Sequence, residues 1–147
     1  MSLVHHYTTE NHHLPLILSS GLLLPSNAGA EHEEPLLWFS RNQVWEKTAT
    51  KMVREGTGVR LLTFHEQLAK WGCARFSLSG DDSRIMNWAE ACKYAGITST
   101  VKRKLEVVGK KRGGSPFDWC AVAVSIPLSD SALTKQRFDG KHWVDFA

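Results

Sequence analysis

Histidine, cysteine and the cationic side chains are the residues of this 147-residue chain whose types and spacing first ask for a chemical reading. His5 and His6 are adjacent, and His12 and His13 follow within one short segment. Four imidazoles so close together hold a metal only if they converge. Neighbours on a strand face opposite ways, and no carboxylate or cysteine is spaced to complete a coordination sphere. Exposed turn histidines are therefore the expectation, with no metal site. Cys73, Cys92 and Cys120 are widely spaced and form no C-x-x-C pair, which predicts buried free thiols in place of a disulfide framework or a cysteine zinc site. The patterns G-x-x-x-x-G-K, G-x-G-x-x-G, H-E-x-x-H and G-x-S-x-G do not occur. That removes the commonest nucleotide-binding, metalloprotease and serine-hydrolase signatures.

The cations are unevenly placed. Between Val101 and Gly114, Lys102, Arg103, Lys104, Lys110, Lys111 and Arg112 face the single Glu106, a local +5 inside a chain of net charge +3. The remainder is therefore slightly acidic, with Glu31, Glu33 and Glu34 its densest cluster. Taken whole, the chain is not charged like a nucleic-acid protein, but this one stretch can make phosphate contact. It reads first as a solvated helix face, since no aromatic residues are interleaved with its charges. With 42% hydrophobic and 22% charged residues, the composition fits one compact domain spanning 1–147 and excludes disordered or collagen-like chains. No run reaches the roughly 18 apolar residues of a membrane span, and the N-terminal residues lack the order of a signal peptide. A soluble, cytoplasmic protein with no membrane contact is expected. Six tryptophans suggest aromatic walls as well as packing.

The elements that must position any site follow from local signals. Leu3 to Tyr7 predicts a strand. Leu14 to Ser20 predicts a short helix, with Pro15 in its first turn and Gly21 past its end. Leu22 to Leu24 is extended, Pro25 to Glu34 a polar loop, and Leu36 to Ser40 a second strand. Val44 to Met52 has helical spacing. Thr63 and Glu66 make a capping box for a helix closed by Gly72, before a strand over Cys73 to Leu78. Asp81 or Asp82 is placed to cap a helix that presents Ile85, Trp88, Ala89 and Cys92 on one face and ends near Gly96. A helix over Thr98 to Val108 should turn Val101, Leu105 and Val108 inward. After Gly113-Gly114, Trp119 to Ile126 reads as an apolar strand, and His142 to Phe146 as a final edge strand. About six strands among four or five short helices make an α+β domain.

Three blocks of this pattern carry a resemblance. Leu3-Val4-His5-His6-Tyr7-Thr8, Leu14-Pro15-Leu16-Ile17-Leu18-Ser19-Ser20-Gly21-Leu22, and Leu37-Trp38-Phe39-Ser40 together resemble the ADP-ribosyltransferase superfamily, in its His-Tyr-Glu branch of diphtheria-toxin and poly(ADP-ribose) polymerase type. The resemblance implies a split two-sheet, mostly antiparallel core with short helices and a cleft for NAD between the sheets. His6 falls on the family histidine, Thr8 on the hydroxyl two residues later, Gly21 on the glycine after the helix, and Ser40 on the small residue of the second strand. Trp38 stands where the family has tyrosine. Asp118, at the head of Trp119-Cys120-Ala121-Val122, stands where the family has glutamate, one methylene longer.

The implied chemistry is cleavage of the nicotinamide glycosidic bond of NAD, used as a substrate, and transfer of ADP-ribose to a protein, nucleic-acid or small-molecule acceptor. A small effector, toxin or defence enzyme of a bacterium or phage is the type implied. His6 would hydrogen-bond the ribose, Tyr7 and Thr8 would flank the nicotinamide amide, Trp38 would stack on its ring, and Asp118 would polarise the ribose 2′-hydroxyl. Arg75 and Arg41 are the cations to meet the diphosphate. Trp88, Trp119 and Trp143 read as packing residues. The alternative is a module that keeps the fold without catalysis and binds nucleotide or nucleic acid through its basic helix.

Overall fold

A computed structural model describes residues 2–146. The chain is a mixed α+β structure built on an antiparallel sheet of seven strands. Its first element, β1 (Leu3–Thr8), is central and buries alternate residues on both faces. It leads through α1 (His13–Ser20), which ends on Gly21 at φ 72°, into the two-residue β2 (Leu22–Leu23). β3 (Leu37–Ser40) follows the polar loop, and Trp38 is the only one of its residues not fully buried. A hairpin of β4 (Met52–Glu55) and β5 (Gly58–Leu61) comes next, turning at Gly56 with φ 62°. Then come α2 (Phe64–Trp71), behind its Thr63–Glu66 capping box, and the buried β6 (Ala74–Ser79). β7 (Met86–Asn87), α3 (Trp88–Ala95) and α4 (Ser99–Lys111) precede β8 (Trp119–Val122). β9 (Ile126–Pro127), β10 (Thr134–Phe138) and β11 (Trp143–Asp145) close the chain.

The sheet order is β11-β10-β6-β1-β3-β8-β7, with β2-β9 and β4-β5 as separate pairs. Where two sheets were expected, the strands are hydrogen-bonded in one. The join is minimal, however. β1 pairs with β6 along all six of its residues, and β3 pairs with β8 along all four of its own, but β1 and β3 share the single pair His5–Ser40. Four strands on one side and three on the other thus meet at a seam between β1 and β3.

Cross-strand register fixes what each face carries, because paired residues point the same way. Val4, His6 and Thr8 share a face with Phe76 and Leu78, and their side of the core contains Leu14, Leu37, Phe39, Val122 and Ile126. Each large side chain fully buried there contributes about 1.5–3 kcal/mol. The opposite face carries His5, Tyr7, Ser40 and Trp38. It is covered in two places. Tyr7, Trp45 and Cys73 pack with Phe64 and Leu68 of α2, while Ala91 and Ala95 of α3 pack on Ala121. The space between the two coverings lies over the seam.

Several expected elements differ. Val44 to Met52 is not an α-helix and holds only a 3-10 turn over Lys47–Ala49. Asn42 Oδ1 accepts from the amides of Val44 and Trp45, and the Trp45 indole donates to Thr50. These side-chain bonds give the backbone an alternative to helix. The helix assigned to an Asp81 or Asp82 cap starts only at Trp88, where Asn87 and Glu90 form the capping box. Asp82 binds Arg84 instead. The strand expected over Trp119 to Ile126 breaks after Val122, and Ile126–Pro127 leaves to pair with β2. The three cysteines are free and buried, and burial raises the Cys73 thiol to about 12 and Cys92 and Cys120 to about 11. They are inert at neutral pH. Among the described residues no helix is long and apolar enough to cross a membrane, and no cluster of histidine, cysteine and carboxylate groups could hold a metal ion.

Candidate functional site

The closed end of the seam is held by a buried polar network. His5, 1% exposed, lies between Ser77 Oγ at 2.6 Å from its Nδ1 and Gln43 Oε1 at 2.9 Å from its Nε2. The amide nitrogen of Gln43 donates to the carbonyls of Leu3 and Arg41, so its oxygen is left to accept. The proton of a neutral His5 is thereby placed on Nε2, and Ser77 donates to Nδ1. Burial dominates its titration and lowers it to about 4, with the nearby Arg75 charge acting the same way.

One residue on, His6 belongs to the other face, but its ring reaches the seam. Nδ1 donates to the Trp38 carbonyl at 2.7 Å, and the ring meets Phe39 edge-on at 5.9 Å between centroids. Burial again lowers its pKa. With Nδ1 occupied by a carbonyl, the neutral ring offers Nε2 as a lone-pair acceptor.

Over the seam lies a cavity of about 500 Å³, within the range of small-molecule sites. His5, His6, Tyr7, Trp38, Phe39 and Ser40 form its floor. Glu46, 7% exposed, is its buried carboxylate. Oε1 accepts from Ser40 Oγ at 2.8 Å, and Oε2 accepts from the Thr48 amide at 3.0 Å and its hydroxyl at 2.6 Å. These donors hold the carboxylate in one orientation, and each oxygen keeps further accepting capacity. Trp38, Trp88 and Trp119 wall the cavity, with ring centroids 5.6 Å and 5.0 Å apart in succession. Leu105, Val108 and Gly109 of α4 and Arg112 beyond it form the opposite side, while Ser26, Asn27, Glu33 and Glu34 from the polar loop also contribute. A largely apolar, aromatic chamber with a few fixed polar groups suits a planar ring carrying polar substituents.

Compared with known protein families, with curated proteins and with solved structures, the chain matches none. The site must be argued from its own geometry.

That geometry brings together some of the residues expected and not others. His6, Tyr7, Trp38 and Ser40 line the cavity. The Tyr7 hydroxyl is already committed, donating to the Asn42 carbonyl, and burial raises it to about 12. Asp118, Thr8, Gly21, Arg41 and Arg75 are not among the lining residues. Asp118 closes a 3-10 turn just before β8, and its carbonyl accepts from the Arg41 amide. Arg75 is buried against the sheet, donating to Gln136 Oε1 and the Gln43 carbonyl at 2.8 Å each, with its guanidinium 4.3 Å from the Trp143 ring centroid. Its Nε and Nη1 are thus engaged within the fold. The lining cation is Arg112, whose Nη2 donates to the Thr50 carbonyl at 2.6 Å.

Five residues absent from the sequence reading of the site line it. Trp88 and Trp119, assigned to packing, are cavity walls. Leu105 and Val108, expected inward, are 43% and 54% exposed and face this chamber, not the core. Glu46 had no motif, and the available signal was its position between two hydroxyl residues, Ser40 and Thr48, just beyond a buried strand.

Proposed function

We propose that the cavity binds NAD and that the protein cleaves its nicotinamide–ribose bond to transfer ADP-ribose. The observation that carries this reading is the seam itself. An imidazole fixed by a backbone carbonyl, a buried carboxylate fixed by two hydroxyl residues and a three-tryptophan wall line one chamber over the junction of β1 and β3. A mostly antiparallel α+β core is compatible with the fold that the ADP-ribosyltransferase resemblance implies.

The residues present fit the nicotinamide riboside half of NAD. The tryptophan wall supplies stacking surface for a flat ring. His6 Nε2 accepts from a ribose hydroxyl, which orients the sugar. Glu46 is the carboxylate that accepts from the 2′-hydroxyl and favours positive charge developing on the ribose as the bond to nitrogen breaks, an electrostatic term of a few kcal/mol. Nicotinamide leaves as a neutral molecule with the bonding electron pair, so no general acid is required. Arg112 is the cation available to the diphosphate. Glu46 thus takes the role assigned from the sequence to Asp118.

Nicotinamide release from NAD, followed by chromatography, tests the assignment. The protein should release nicotinamide, and His6→Ala and Glu46→Gln should each lower the rate about 100-fold or more. Asp118→Asn should stay within a few-fold. Loss of activity in Asp118→Asn with Glu46→Gln unaffected returns the role to Asp118. No turnover and no thermal stabilisation of the wild-type protein by NAD overturns the reading.

A further inference from the structure

The cavity uses one side of α4 and leaves the other free. A residue advances about 100° around an α-helix, so positions seven apart lie nearly in line. Arg103 and Lys110 form one such row, and Lys104 and Lys111 form a second. Both rows lie outside the stripe of Leu105, Val108 and Arg112 that faces the cavity. Val107, 47% exposed, stands between the two rows, and Val108 borders them on the cavity side. All four cations are exposed. None joins an ion pair among the described residues. The one acidic residue of the helix, Glu106, accepts instead from the Trp88 indole at 2.6 Å.

This face also has a shape. An open, shallow depression on its N-terminal half is lined by Ser99, Thr100, Arg103, Lys104, Val107 and Val108. Val108 lines the cavity as well, so the two depressions adjoin. The rows extend about 10 Å along the helix, which is about three phosphate steps of a stacked strand.

We propose that the outer face of α4 binds single-stranded nucleic acid, with the phosphates on Arg103, Lys104, Lys110 and Lys111 and unpaired bases against the Val107–Val108 ridge. Two features select this partner. Parallel rows of unneutralised cations match a regularly charged backbone. Val107 between the rows and Val108 beside them offer apolar surface that bases meet only when unpaired, since a duplex turns its bases inward. The inference stands apart from what the cavity turns over.

Fluorescence anisotropy of the full chain with 5′-labelled 20-mers of mixed sequence tests it, using single-stranded DNA, single-stranded RNA and a duplex as separate arms. Binding of one or both single strands more tightly than the duplex is expected. It should weaken about 10-fold or more between roughly 50 and 200 mM salt, as several phosphate contacts require. Replacing Arg103, Lys104, Lys110 and Lys111 together by glutamine should weaken binding at least 10-fold and flatten the salt dependence. A control with Arg54, Lys70, Lys93 and Lys141 changed to glutamine loses the same charge from other exposed positions, and should bind as wild type. Circular dichroism checks that both variants are folded. The proposal is overturned by absence of binding at low salt, by equal loss in both variants, by tighter binding to the duplex, or by preference for phosphatidylserine vesicles over the single strand.

Discussion

Acidification should loosen the protein through His5. The buried ring titrates near 4 in the fold against 6.5 for an ordinary imidazole. Because the folded value is depressed, the unfolded chain takes up the proton first. His5 therefore contributes its full stability above about pH 6.5, and loses it progressively as the pH falls toward 4. A difference of this size corresponds to about 3 kcal/mol in full, of which roughly 2.5 kcal/mol is lost between pH 7 and pH 4.5. Burial of His6 and His13 lowers their values in the same direction, so the sign is shared. Asp82, Asp130 and Asp139 are held below the ordinary carboxylate value by their hydrogen bonds, and their contribution is lost only at lower pH.

Urea unfolding followed by tryptophan fluorescence measures the effect. With a slope of about 2 kcal/mol per molar urea, the midpoint should fall by about 1 M between the two pH values. His5→Gln should be less stable at pH 7, since it strands Ser77 or Gln43, but should lose much less on acidification. A wild-type midpoint that does not move, or a variant that keeps the whole pH dependence, refutes the reasoning. The location gives the test a second use. His5 belongs to the ladder pair that joins β1 to β3, so charging it acts where the two halves of the sheet meet at the floor of the cavity.

Other outcomes follow from packing. A Cβ on Gly109 would stand 2.3 Å from the Trp119 ring, so Gly109→Ala should destabilise by about 1–2 kcal/mol despite better helix propensity, and should shift the tryptophan emission. Stabilisation by thermal melting would contradict the close helix–tryptophan contact. Arg75→Ala removes a buried guanidinium with two well-placed acceptors and a ring beneath it, and should cost about 2–4 kcal/mol in chemical unfolding. The NAD-induced thermal shift should survive it, and its loss in a protein of unchanged stability would put Arg75 back in the site. Asn87→Ala removes the side-chain acceptor of the Glu90 amide in the capping box that starts α3 beside the Trp88 wall, and should cost about 1 kcal/mol.

What the sequence made legible was whatever neighbouring residues decide among themselves. α1 ends at Gly21 and α2 begins at Thr63 because those residues satisfy the helix ends locally. The seam strands β1 and β3 were legible for a similar reason, as short apolar runs bounded by turn signals. Val44 to Met52 misled because its apolar spacing imitates a helix, while Asn42 and Thr50 compete for the backbone and the Trp45 indole. β10 was missed since Thr134–Phe138 is mostly polar. Its pairing is set by β6, some 60 residues away in the chain.

The carboxylate illustrates the same division most sharply. Asp118 was selected by its place ahead of an apolar strand, a one-dimensional criterion that registers the strand's start and says nothing of where the side chain lies. Glu46 has no strand of its own. It is held because Ser40 ends β3 facing the cavity and Thr48 opens toward it from a 3-10 turn. Such a position depends on three turns of backbone, none of them periodic. Spacing alone therefore reaches the cavity-lining His6 and Trp38, which regular strands carry. It does not reach the lining carboxylate Glu46, which irregular chain carries, and Glu46→Gln against Asp118→Asn is the pair of variants that separates the two proposed roles.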